Sequence, residues 1–130
     1  MNTYEAYLNH PAGNILPIEE ALQIYTDLVK SVASCTVEDK MEFYQDFLKK
    51  AVAYAEIRCD WEFMTREEKQ EIDAQRTNRH NAFITAVNIL SRFAENEGVD
   101  NSWRERLGEE RKRIGDFACF TAYMTGIANR

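Results

Sequence analysis

The fold is decided by residues 76–94, which read RTNRHNAFITAVNILSRFA. At about 100° per residue, their apolar side chains fall on one broad arc of a helix, and such an arc packs against other helices. The arc comprises Ala82, Phe83, Ala86, Val87, Leu90, Phe93 and Ala94. Three polar residues, Arg76, Arg79 and His80, lie on or beside it. They need partners from elsewhere in the chain, because an unpaired buried charge is strongly unfavourable.

Helical spacing of apolar residues recurs along most of the remaining chain. The pattern predicts helices over residues 17–34, 36–62, 65–97, 102–107 and 109–128. Capping-box patterns at Thr36, Thr65 and Ser102 predict three of the helix starts, and Gly98 suits the position just past a helix end. No alternating β-branched run predicts a strand. We therefore expect an all-α fold, with four to five helices in an antiparallel bundle-like arrangement.

The length of 130 residues fits a single domain spanning residues 1–130. Its first part, residues 1–16, carries the turn signals His10-Pro11 and Gly13-Asn14, which predict an irregular N-terminal segment. A short helical turn around Tyr4, Tyr7 and Leu8 is the alternative for part of this segment.

The net charge and the cysteine content limit the possible binding partners and the possible cellular compartment. The formal net charge is −6, which argues against nonspecific binding of nucleic acid. No apolar run approaches the length of a membrane span, and the chain does not begin with a leader pattern. Three cysteines, Cys35, Cys59 and Cys119, form no CxxC pair, and we expect three free thiols in a reducing cytoplasm.

Metal, cofactor and nucleophile signatures are absent from the sequence. The two histidines, His10 and His80, belong to no metal-binding motif. Cys119 has no histidine nearby, and the glycines are too scattered for a phosphate-binding loop. We expect no metal and no cofactor.

Two groups of acids resemble a catalytic motif. Glu67, Glu68 and Glu71 form EExxE, and Glu97 with Asp100 forms ExxD. Together they are similar to the motif of the all-α nucleoside-triphosphate pyrophosphatases, in which such acids hold magnesium ions that bind the substrate phosphates. Gly98 interrupts the second group at a predicted helix end, so its acids should not share a helix face. We expect that the two groups form no common magnesium site.

A set of polar residues on otherwise apolar helix faces is the remaining candidate site. It comprises Arg58, Glu62, Arg76, Arg79, His80, Glu110, Arg113 and Asp116. One interpretation is a pocket that binds a small anionic or polar ligand through arginines. The other, which we favour, is a buried ion-pair cluster that fixes the helix register. In either case we expect Arg79 to be substantially buried and paired with an acid of another helix, Asp116 first.

The C-terminal half resembles a small bacterial family of all-helical proteins of unknown function. The resemblance lies between residues 76 and 126, in the segments RHNA (79–82), NIL (88–90), SWRE (102–105), LG (107–108) and IGDFAC (114–119). It implies a helical fold and a bacterial origin, but no mechanism.

The sequence thus favours a binding or protein-interaction module without catalytic activity. Its expected partners are a second protein or a second copy of the chain, and a small anionic ligand. The alternative is a magnesium-dependent pyrophosphatase-like enzyme that uses the EExxE and ExxD acids.

Overall fold

A computed structural model describes residues 15–61 and 63–128, apart from the side chains of residues 59, 60, 127 and 128. The described part is all-α and contains five helices. They are α1 (Ile18–Ser34), α2 (Lys40–Trp61), α3 (Arg66–Asn96), α4 (Trp103–Leu107) and α5 (Arg111–Ala128). The helical fold expected from the sequence is confirmed. The predicted N-terminal turns lie in residues 1–14, outside the described residues.

Helices α2, α3 and α5 enclose the core. Helices α2 and α3 are joined by a short connection and pack along each other, and α5 packs against α2. Four fully buried aromatic rings lie between them: Phe47 and Tyr54 of α2, Phe83 of α3 and Phe117 of α5. Phe83 occupies the centre, with ring centroids 5.7 Å from Phe47, 6.2 Å from Tyr54 and 6.4 Å from Phe117. The arc of residues 76–94 therefore packs along α2, and its Phe83 reaches Phe117 of α5.

Helix α1 is joined to the rest by apolar contacts and by polar contacts just before its start and near its middle. The carboxylate of Asp116 in α5, which is only 2% exposed, accepts hydrogen bonds from the backbone N–H of Ile15 (2.7 Å) and Leu16 (3.1 Å). Arg106 of α4 pairs with Asp27 at 2.6 Å. Asp116 thus anchors the entry to α1 instead of pairing with Arg79.

The helix ends show which of the predicted capping residues are correct and which are not. The capping box of Thr65 and Glu68 is present, and Gly98 has the positive φ (69°) expected past a helix end. Thr36 does not cap α2, because its hydroxyl donates to Glu97 and the helix begins only at Lys40. Ser102 makes no side-chain cap bond, and its N–H donates instead to the Asp100 carboxylate. A threonine or serine cap competes with any acid that the tertiary structure brings closer.

Cys35 is a buried free thiol and Cys119 is fully buried, whereas the side chain of Cys59 lies outside the described part. Burial raises the pKa of the Cys35 thiol. Among the described residues, no helix combines the length and the apolarity needed to cross a membrane.

Candidate functional site

The structure distributes the predicted polar residues over several places. Glu62 lies outside the described residues. Of the others, only Arg58 and Arg76 line a common cleft, and His80 lies close to it. Glu110 is exposed just before α5. These residues therefore do not form the single ion-pair cluster that was expected from the sequence.

Arg79 does pair with an acid of another helix, but the acid is not Asp116. Its guanidinium donates to the backbone carbonyl of Ala53 (2.7 Å) and to the Glu56 carboxylate (3.2 Å), both in α2. The Arg79 side chain is 35% exposed and that of Glu56 is 59% exposed. The expectation of substantial burial was wrong, because Arg79 extends along the outside of the α2–α3 interface.

An exposed pair of this kind contributes about 0–1 kcal/mol. We therefore expect the double-mutant cycle of Arg79→Ala and Glu56→Ala to give a coupling energy below about 1 kcal/mol in urea unfolding. A coupling of about 3 kcal/mol or more would contradict this, since that is the range of a buried pair.

Arg113 also lies outside the predicted cluster. Its guanidinium donates to the backbone carbonyls of Leu107 (2.9 Å) and Arg106 (2.7 Å) and pairs with Glu20 of α1. These bonds satisfy carbonyls at the end of α4 and join α4, α5 and α1. Arg113 therefore has a structural role.

Arg58, Trp61, Arg76, Arg111 and Lys112 line a cleft of about 290 Å³, which we call the cationic cleft. The first two come from the end of α2, Arg76 from α3, and the last two from the first turn of α5. Four of the five carry a positive charge, and no acid lines the cleft among the described residues. A local positive site of this kind contrasts with the net charge of −6.

Trp61 and Arg76 form one wall of the cleft. The Arg76 guanidinium lies over the Trp61 ring, 4.3 Å from its centroid, and also bonds Asp73 at 3.0 Å. Lys69 approaches the same ring at 5.5 Å. The buried Arg76 Nε–H has no hydrogen-bond partner among the described residues. Stacking holds the guanidinium in one orientation and leaves this donor for another acceptor.

Arg58 reaches the cleft across Gly115 of α5. The Arg58 side chain is nearly buried, and a Cβ on Gly115 would lie 2.6 Å from its Nε and 3.0 Å from its Cδ. The absence of a side chain at residue 115 therefore allows Arg58 to lie flat against α5. Gly115 thus lies inside α5 and accommodates the close approach of Arg58.

Tyr54 and His80 lie behind the cleft, with their rings 5.4 Å apart. Burial raises the pKa of Tyr54, against the opposing effect of the Arg58 and Arg76 charges. Burial lowers the pKa of His80, and the Arg111 and Arg76 charges lower it further, so the imidazole is neutral at pH 7. Neither the Tyr54 hydroxyl nor the His80 Nε2 has a hydrogen-bond partner among the described residues. The positive field of the cleft thus extends to buried polar groups.

Arg111 and Lys112 add charge at a helix start that already favours anions. The first turn of α5 contains no acid, and a helix N-terminus carries a partial positive charge. Within the described part of the chain, neither residue forms an ion pair, whereas Arg104, Arg106 and Arg113 pair with Glu109, Asp27 and Glu20. These two cations are the ones most available to an anionic ligand.

Sequence reasoning missed Trp61, Arg111 and Lys112 as members of a site. The run Arg111-Lys112-Arg113 at a helix start was the only signal in the sequence.

The EExxE acids lie at the start of α3, whereas the ExxD acids lie at and beyond its end. Glu68 completes the capping box of Thr65 at the start of α3, whereas Glu97 is at its other end. The 28 residues between them span about 40 Å of helix. Among the described residues, no three His, Cys, Asp or Glu side chains converge as a metal site would require. The geometry offers no support for the pyrophosphatase-like alternative.

Glu97 fastens the connection between α1 and α2 to the end of α3. Its carboxylate accepts bonds from the Thr36 hydroxyl (2.6 Å) and from the N–H groups of Thr36 (2.8 Å) and Val37 (3.2 Å). The bonds from Thr36 hold the pKa of Glu97 below its usual range.

Since the pKa of Glu97 is lower in the folded state than in the unfolded chain, the ionised carboxylate stabilises the fold above the ordinary carboxyl pKa of about 4.3. This stabilisation is lost as the pH falls through the pKa of Glu97 in the folded state. We expect wild type to lose more stability than Glu97→Gln between about pH 5 and pH 3 in urea unfolding. Identical pH profiles would show that Glu97 has no such role.

Comparison with known proteins found no matching family model, no similar curated protein and no similar solved structure.

Proposed function

We propose that the protein is a binding module without catalytic activity, and that it captures a small anionic ligand in the cationic cleft. The observation that carries the proposal is the convergence of Arg58, Arg76, Arg111 and Lys112 around Trp61, with no acid among the described lining residues. Like charges repel, so a fold that collects them has lower free energy when an anion lies between them.

The donor groups indicate the chemical class of the ligand. Guanidinium groups bind the oxygens of phosphate or carboxylate in pairs, and lysine adds a mobile point charge. The cleft volume of about 290 Å³ fits a compact ligand and not an extended polymer. A phosphate- or carboxylate-bearing small molecule meets these requirements.

Isothermal titration with inorganic pyrophosphate tests the proposal. We expect saturable binding to wild type that weakens with added salt. The double variant Arg111→Gln/Lys112→Gln should lose affinity by about tenfold or more, because it removes two charge-assisted contacts.

Lys49→Gln is the matched control, since Lys49 is an exposed cation of α2 that does not line the cationic cleft. Its affinity should stay within about twofold of wild type. No binding to wild type, or equal losses in the control and the double variant, would contradict the proposal.

Gly115→Ala provides a second test, because the added Cβ would collide with the Arg58 side chain. We expect it to displace the guanidinium, weaken pyrophosphate binding and cost about 1–3 kcal/mol of stability. Gly126→Ala is the control, since nothing lies within 4 Å of its new Cβ and alanine favours a helix by about 1 kcal/mol. Unchanged stability and binding in Gly115→Ala would show that Arg58 does not need this close approach.

The cytoplasm of a bacterium is the setting we propose. The buried free thiol of Cys35 supports a reducing compartment. The resemblance between residues 76 and 126 and a bacterial helical family supports the origin.

A further inference from the structure

Helix α1 carries a stripe of apolar side chains that the described fold leaves exposed. Ile18 is 48% exposed, Leu22 46% and Val29 36%, and the half-buried Tyr25 lies between them. We call these four residues the α1 stripe. The adjoining flank of the same helix buries Ala21, Ile24 and Leu28 in the core. Helix α1 therefore has a wide apolar face, and the described core covers only part of it.

The spacing of the α1 stripe is that of a helix–helix seam. Its members follow one another at intervals of four, three and four residues, which is the a/d pattern of paired helices. Tyr25 also lines an open cleft of about 570 Å³ with Tyr44 and Leu48 of α2 and Met124 of α5. A helix laid along the stripe would thus have apolar surface beneath it and beside it.

Charges along the edge of the stripe identify a second copy of α1 as the occupant. Glu19 and Lys30 lie on the same side of the stripe, near its two ends. Neither forms an ion pair within the described residues, whereas Glu20 and Asp27 of the same helix pair with Arg113 and Arg106.

In an antiparallel pair of α1 helices, Glu19 of each copy would lie beside Lys30 of the other, and the helix dipoles would oppose each other favourably. The same register places Ile18 opposite Val29 and Leu22 opposite Tyr25, so each apolar residue meets one from the second copy. A parallel pair would place Glu19 of one copy on the opposite side of the seam from both Glu19 and Lys30 of the other, so neither charge would gain a partner. The surface is therefore self-complementary about a twofold axis.

We propose that two copies of the chain associate through the α1 stripe as an antiparallel helix pair. The interface lies on a different face from the cationic cleft and does not depend on the function proposed for that cleft.

Light scattering on a size-exclusion column measures the association in the full chain. Wild type should elute as a species of about twice the 15.2 kDa chain mass.

Leu22→Glu should raise the dimer dissociation constant by about tenfold or more, because it buries a charge in the seam. Phe63→Glu, at an exposed apolar residue between α2 and α3, is the control and should remain dimeric. Circular dichroism is expected to show that both variants stay helical. A monomeric wild type, or a Leu22→Glu variant that dimerises like wild type, would overturn the proposal.

Exchange of the edge charges tests the antiparallel orientation independently of folding. Lys30→Glu should weaken the dimer, because it places two acids together, and Glu19→Lys/Lys30→Glu should restore it. Failure of the double variant to recover the wild-type dissociation constant would overturn the antiparallel arrangement.

Discussion

Replacement of Phe83 by alanine is expected to lower the free energy of unfolding by about 4 kcal/mol. Phe83 is fully buried at the centre of the contact between α2, α3 and α5, and its ring is within 6.4 Å of the Phe47, Tyr54 and Phe117 rings. The loss combines the transfer energy of the removed ring with the cavity left among side chains from three helices. Since a domain of this size has a total stability of about 5–15 kcal/mol, the variant should be close to unfolding.

Urea unfolding at equilibrium measures this loss. Phe43→Ala is the matched control, because the Phe43 ring contacts Phe93 at 5.1 Å but is only partly buried. Its cost should be less than half that of Phe83→Ala. Similar costs for the two variants would mean that the core is not centred on Phe83.

The second large effect is expected for Asp116→Ala, at about 3 kcal/mol. The change removes the acceptor for the N–H groups of Ile15 and Leu16, and a buried amide without an acceptor is costly. Asp116→Asn should cost less, because an amide oxygen can still accept one or both bonds.

Asp46→Ala controls for the loss of a carboxylate, since Asp46 pairs with Lys50 at the surface. Its expected cost is about 0–1 kcal/mol. Thermal unfolding followed by circular dichroism compares the three variants. If Asp116→Ala were no more costly than Asp46→Ala, Asp116 could not be the anchor of α1.

The five helices could be predicted from the sequence because each carries a local signal. The apolar arc around Phe83 and the Thr65 capping box depend only on residues close together in the chain. The start predicted at Thr36 was wrong, because its hydroxyl donates to the Glu97 carboxylate and the helix begins only at Lys40. The start predicted at Ser102 is correct, although its side chain makes no capping bond. Local patterns do not show which long-range partner competes for a polar group.

The candidate site was predicted only in part, for the same reason. Arg58 and Arg76 were found because they lie on apolar helix faces, where a charge is conspicuous. Arg111 and Lys112 lie among alternating charges, and only the tertiary structure shows that they lack ion-pair partners while Arg113 has one. Asp116 was predicted to pair with Arg79 because it borders the apolar face of the last helix, and that position says nothing about Ile15 and Leu16.

Two-dimensional ¹H–¹⁵N NMR of the indole N–H groups during titration with pyrophosphate tests the cationic cleft most directly. The chain has two tryptophans: Trp61 lines the cleft, and Trp103 is buried in α4. The variant Trp61→Phe assigns the two signals. We predict that the Trp61 signal shifts progressively and saturates while the Trp103 signal stays in place. A Trp61 signal that does not move at saturating pyrophosphate would contradict binding of the anion in this cleft.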